Sequence, residues 1–125
     1  MKSTVNVLVP FAHVADVARS IAFYKKLGFE VGDALAIGSA LSWCMLDSGE
    51  AHLMLARATG PIDPRQQAVV FYFFTDDVAA LRAQLVADKI EVSPVSRPPH
   101  MPNGEIRLDD PDGYVLLIGQ RRPSA

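Results

Sequence analysis

The stretch VADVARSIAFYKKLGFEV, Val14 to Val31, returns in edited form as TDDVAALRAQLVADKIEV, Thr75 to Val92. Asp16 and Asp77 lie 61 residues apart. The same offset pairs Val17 with Val78, Ala18 with Ala79, Ala22 with Ala83, Glu30 with Glu91 and Val31 with Val92. A repeat this long restricts the chain to folds in which one supersecondary unit is made twice, and it directs the search for function to where the copies meet.

Each copy reads locally as strand, helix, strand, strand, strand. In the first, TVNVLVPFA from Thr4 to Ala12 is rich in β-branched residues and predicts a strand buried on both faces. Asp16 offers a carboxylate to cap a helix, and Val17, Ile21, Tyr24 and Leu27 form an apolar stripe along it. Gly28 ends the helix, where a left-handed residue is favoured. Ser39 to Leu46 and Ala51 to Ala56 are apolar runs around DSGE, a hairpin. With Ser48 and Gly49 as its tip, Trp43 pairs with Met54 and Met45 with His52 on one face; a bulge at Gly49 would bring Ser42 and Cys44 there instead. Arg57 to Gln67 reads as a linker.

The second copy opens with AVVFYFFT, Ala68 to Thr75. Its helix is capped by Asp76 or Asp77 and striped by Val78, Leu81, Leu85 and Val86. Lys89 stands in the slot that Gly28 fills, so this helix must end on a less permissive residue. Ile90 to Val95 predict a strand, and RPPHMPNG, Arg97 to Gly104, a Pro-rich arch. Glu105 to Leu108 and Tyr114 to Gly119 flank DDPDG, a tight turn that by itself accounts for Asp110 and Asp112.

Bulk properties narrow the function classes. A chain of 125 residues suits one domain that buries about two-thirds of its unfolded surface. We expect a single domain with module 1 over residues 1–57, a linker over 58–67 and module 2 over 68–125. The net charge of −2 comes without a basic stripe, which argues against nucleic acid. No run approaches the roughly 20 apolar residues of a membrane span. One cysteine cannot form an internal disulfide, so a reducing, cytoplasmic location is expected.

At this point the chain resembles the vicinal-oxygen-chelate superfamily, which includes glyoxalase I, extradiol dioxygenases, fosfomycin-modifying enzymes and bleomycin-resistance proteins. The resemblance rests on VADVARSIAFYKKLGFEV, TDDVAALRAQL and GEIRLDDPDGYVLLIG, and covers nearly the whole chain. It implies an α+β fold of two βαβββ modules forming a curved mixed sheet around a concave groove, completed in a homodimer. Enzymes of the family place metal ligands on the first and last strands of each module. Those slots fall here on Val9, Met54, Val70 and Leu117, none of which can supply the donors a divalent ion requires. The pattern is therefore most similar to the bleomycin-resistance type, whose members bind a drug without altering it, and no cofactor, metal or catalytic residue is expected.

If Val9 and Val70 face the concavity, alternation sends Phe11, His13, Tyr72 and Phe74 there and turns Leu8, Pro10, Phe71 and Phe73 toward the helices. Such rings either stack on a planar ligand or fill a core or dimer interface. His13, His52 and His100 are polar contacts to a ligand or solvated side chains. Glu105 and Arg107 share a face as ligand contacts or as a structural ion pair. Cys44, mid-strand and without a basic neighbour, reads as an inert hydrophobe. The expected ligand-binding set is Phe11, His13, Trp43, His52, Met54, Tyr72, Phe74, His100, Glu105, Arg107 and Leu117. The leading expectation is sequestration of a small molecule, possibly an antibiotic. Its rival is a lyase, isomerase or dioxygenase using a noncanonical metal set drawn from His13, His52, His100 and Glu105, or metal-free acid–base chemistry.

Overall fold

The computed structural model describes residues 3–122; the outermost residues of the two expected modules, 1–2 and 123–125, lie outside the described residues. Its fold is α+β: two helices and two sheets, one of four strands and one of three. The chain divides into two compact units, Met1–Ile62 and Asp63–Ala125. Among the described residues no helix is long and apolar enough to cross a membrane.

In the first unit, β1 (Phe11–Val14), α1 (Val17–Lys25), β2 (Glu30–Ile37), β3 (Ala40–Ser48) and β4 (Ala51–Arg57) follow one another. The sheet order is β1-β4-β3-β2, with β1 parallel to β4 and the other pairs antiparallel. Asp16 caps α1, its carboxylate accepting from Arg19 N at 3.1 Å. Val17, Ile21 and Tyr24 bury the expected stripe, and the Tyr24 ring meets Phe29 edge-on at 6.0 Å. Alternation assigns Ala12, Val14, Cys44, Leu46, Leu53 and Leu55 to the covered face, all nearly inaccessible. Each buried aliphatic side chain of this kind stabilises the unit by about 1.5–3 kcal/mol.

Two expectations fail here for identifiable reasons. The first strand does not begin at Thr4: residues 3–10 are outside the sheet, and Val5, Val7 and Leu8 are exposed. Leu8 therefore does not pack on a helix. Pro10 has no N–H to donate, so the ladder starts beyond it; Met54 N donates to Pro10 O at 2.9 Å and pairing proper opens at Phe11↔Met54. The hairpin tip is Gly49-Glu50, not Ser48-Gly49, and the rungs are Trp43↔Ala56, Met45↔Met54 and Asp47↔His52. Gly49 at φ 58° supplies the positive dihedral that the first loop residue of a type II′ turn requires. The shift from the expected register is two residues, which preserves side-chain parity. Trp43, Met45, His52 and Met54 thus share the face opposite Cys44 and Leu46, and the bulged alternative is excluded.

In the second unit a short 3-10 turn at Pro64–Gln66 precedes β5 (Val70–Thr75), α2 (Val78–Ala87), β6 (Glu105–Asp109) and β7 (Val115–Gln120). The sheet order is β5-β7-β6, with β5 parallel to β7. Asp77 is the cap, accepting from Ala80 N at 2.9 Å. Val78 and Leu85 are buried, Leu81 is half-buried, and Val86 falls off the stripe. Asp110 holds the DPDG turn, its Oδ1 accepting from Asp112 N and Tyr114 N at 2.9 Å.

The expected strand from Ile90 to Val95 does not form. Pro94 cannot donate to a ladder, and Ser93 and Ser96 instead reach β6 singly: Ser93 N donates to Arg107 O, Ser93 Oγ accepts from Arg107 N, and Ser96 exchanges two bonds with Glu105. The second copy is thus one strand short of the first.

Lys89 adopts φ 61° where Gly28 adopts φ 98°, so the repeat preserved the helix exit and not the residue suited to it. Lys89→Gly is expected to stabilise the chain by about 0.5–1 kcal/mol, and Gly28→Ala to destabilise it by about 1–2 kcal/mol. Denaturant midpoints at unchanged m value measure both; a destabilising Lys89→Gly would contradict the equivalence of the two exits.

Candidate functional site

Each helix covers one face of its own sheet, and the candidate site residues lie on the other. In the first unit Phe11 is 50% exposed and packs beside His13, ring centroids 5.5 Å apart. Trp43, Met45 and Met54 are half-buried. His52 sits at the hairpin end, its Nδ1 2.6 Å from Asp47 Oδ1 across the rung that register creates. A carboxylate on one ring nitrogen fixes the imidazole's orientation and leaves Nε2 pointing elsewhere.

The second unit's uncovered face carries the denser chemistry. Strand pairing sets two rows: Tyr72, Leu117 and Arg107, then Phe74, Gly119 and Glu105. Tyr72 reaches diagonally over β7 to donate its hydroxyl to Glu105 Oε2. Gly119 makes that crossing possible, because a Cβ there would meet the Tyr72 hydroxyl at 3.0 Å and Met101 Cε at 2.9 Å. Met101 belongs to the Pro-rich loop, so the loop folds onto the same bare backbone. His100 from this loop brings Nε2 to 3.1 Å from Glu105 Oε2 and sets its ring edge-on to Tyr72 at 6.2 Å. Phe74 tilts against Tyr72 at 5.2 Å.

Glu105 is buried, at 8% exposure. Its expected ion pair with Arg107 does not form: Arg107 turns the other way along the strand, to Asp109 at 3.7 Å. The tyrosine responds to its surroundings. Burial first, then the hydrogen bond to Glu105 and that carboxylate's negative charge, push the Tyr72 hydroxyl up to about 12. Burial likewise pushes the Cys44 thiol up, against the smaller effect of its backbone bond to Leu55, which removes it as a nucleophile at neutral pH.

A divalent metal does not fit the donor set. Val9 precedes β1 in irregular chain, Val70 and Leu117 are on strands, and Met54 offers only a thioether. Among the described residues no three His, Cys, Asp or Glu side chains are grouped to hold an ion. The structure thus brings Tyr72, Phe74, His100 and Glu105 together in one unit, and Phe11, His13, Trp43, His52 and Met54 on one face of the other. Asp47, Met101 and Gly119 were missed. Of these only Gly119 had a signal, since glycine inside a strand marks a close approach by another group.

A sequence model described as the Glyoxalase/Bleomycin resistance protein/Dioxygenase superfamily matches residues 7–118. Among curated proteins there is no match. Several solved structures share the fold. A bleomycin-binding protein complexed with bleomycin is 21% identical, with a TM-score of 0.76 over 94% of this chain and 100% of that one. A bleomycin resistance determinant encoded on the transposon Tn5 is 21% identical, with a TM-score of 0.78 over 95% and 100%. TnmS3, an antibiotic binding protein from Streptomyces sp. CB03234, is 21% identical, with a TM-score of 0.76 over 98% and 100%.

Because the folded pKa of Tyr72 exceeds its ordinary 10.0, the stability contributed by the protonated phenol is whole below about pH 10 and is lost as pH rises through about 12. Ultraviolet titration of tyrosinate, wild type minus Tyr72→Phe, is expected to show one group titrating near 12, and Glu105→Gln is expected to lower it. A difference curve centred near 10 would contradict the hydrogen bond.

Proposed function

The chain belongs to the Glyoxalase/Bleomycin resistance protein/Dioxygenase superfamily, and from that premise we propose that it binds a small aromatic molecule without a metal and acts by sequestration. The observation that carries this reading is a substitution of chemistry on the uncovered sheet faces. Where enzymes of the family hold metal donors, this chain has aliphatic side chains and a thioether, and around them stand aromatic rings that its own helices leave uncovered: Phe11, Trp43, Tyr72 and Phe74. Exposed aromatics are costly to leave in water and suited to stacking on a planar partner, at about 0.5–1.5 kcal/mol per ring pair beyond area burial. His13, His52, His100, Glu105 and Arg107 supply orienting polar groups beside them. Antibiotic binding by structurally similar proteins supports the choice of ligand class.

In this reading a homodimer completes the binding groove, because a single sheet face covers only one side of a planar ligand. The exposed apolar residues Val5, Val7, Leu35 and Ile37 support association with a second copy.

A second reading, metal-free acid–base catalysis, draws on the Tyr72–Glu105–His100 cluster, which could hold and pass a proton. A thermal-shift screen of planar aromatic antibiotics separates the readings. Sequestration predicts a ligand that stabilises the chain by about 2.7 kcal/mol at a concentration one hundred times Kd, equally with and without chelator, and that mass spectrometry recovers unchanged. Phe74→Ala is expected to weaken it by roughly tenfold. Recovery of the ligand with altered mass would favour catalysis; loss of stabilisation with chelator would overturn metal independence.

A further inference from the structure

Glu105 is the buried ionisable group whose surroundings the fold leaves incomplete. One carboxylate oxygen, Oε2, receives both the Tyr72 hydroxyl and His100 Nε2. Oε1 has no protein partner among the described residues. No lysine or arginine in that set reaches the carboxylate: Arg107, next on its face, is turned to Asp109. His100 reaches Oε2 from the Pro-rich loop, its side chain 60% exposed. The Glu105 side chain is 11% exposed, and its unpartnered oxygen is not a sealed-off atom, so a cation can reach a carboxylate that is largely withdrawn from water and gains by being paired.

The neighbours define what else that cation must carry. Tyr72 holds the carboxylate, its ring lies 5.2 Å from that of Phe74, and Phe74 is 61% exposed. Aromatic faces within about 6 Å of a cation attract it through the ring quadrupole, and the open ring accepts an aromatic body by stacking.

We propose that Glu105 anchors a cationic nitrogen, so that the molecule this face selects is an aromatic or planar compound bearing a protonated amine or amidinium. The proposal rests on the reading of the chain as a small-molecule binder and adds the charge of its ligand. Tyr72 acts as the positioning residue: its hydroxyl, pushed up to about 12, keeps its proton through the physiological range and fixes one carboxylate oxygen, leaving the other to the ligand. Gly119 permits that arrangement by leaving the phenol a path across β7. A neutral isostere of the ligand gains the stacking and leaves the carboxylate unpaired, so discrimination comes from the group it lacks.

The test is a pair of probes, naphthylmethylamine and naphthylmethanol, titrated into the full isotope-labelled chain at neutral pH and followed by nuclear magnetic resonance. The expected result is binding of the amine about tenfold to a hundredfold more tightly than the alcohol, with shifts centred on β5, β6 and β7. In Glu105→Gln, checked for an unchanged fold by its spectrum, the two probes should bind within about threefold of one another. Tyr72→Phe keeps the charge but frees the carboxylate oxygen that the hydroxyl fixes, and should narrow the preference for the amine to a value between those of the wild type and Glu105→Gln; a preference unchanged in Tyr72→Phe would overturn the positioning role. Equal binding of amine and alcohol by the wild type, or a preference that survives Glu105→Gln, would overturn the anchor and leave small-molecule binding intact. Failure of both probes to bind would overturn the anchor and count against the binding reading as well.

Discussion

A two-faced sheet with one helix can cover only one of its faces, and each unit of this chain lives with that constraint. Period-two alternation then sorts every strand residue. Ala12, Val14, Cys44, Leu46, Leu53 and Leu55 go under α1, and Phe71, Ile106, Leu108, Leu116 and Ile118 form the buried side of the second sheet. What remains lies on the faces that the helices leave uncovered. The residues placed there are aromatic, aliphatic and histidine-rich, with one buried carboxylate among them.

The repeat made the framework legible. Its offset located both caps, Asp16 and Asp77, and both helix exits, including the strained one at Lys89. The faces of the hairpin strands were also legible, because parity survives a two-residue slip even when the rungs do not. The two strand failures are proline failures: Pro10 cuts the first strand short, and Pro94 keeps residues 90–95 from joining a ladder. β-branched richness spoke for a strand at both places, and the missing donor overruled it.

The site was half legible for a different reason. Tyr72, Phe74, His100 and Glu105 could each be placed on a face or loop, yet their mutual contacts span up to 33 residues. The bond from Tyr72 to Glu105 depends on the absence of a side chain at Gly119 in a third strand, which no local pattern encodes. The same holds for Arg107, which has a carboxylate two residues away on either side, Glu105 and Asp109, and pairs with Asp109.

Membership of the superfamily fixes the fold and leaves the chemistry to the side chains at the site. Here those side chains argue for binding through stacked rings and a single charge. The most direct measurement is the emission of Trp43, the one tryptophan, half-buried on an uncovered face. On titration with an aromatic ligand that stabilises the chain, the account predicts a saturable change in emission that is the same with and without chelator. An emission that stays constant at ligand saturation, or a response that chelator abolishes, would contradict it.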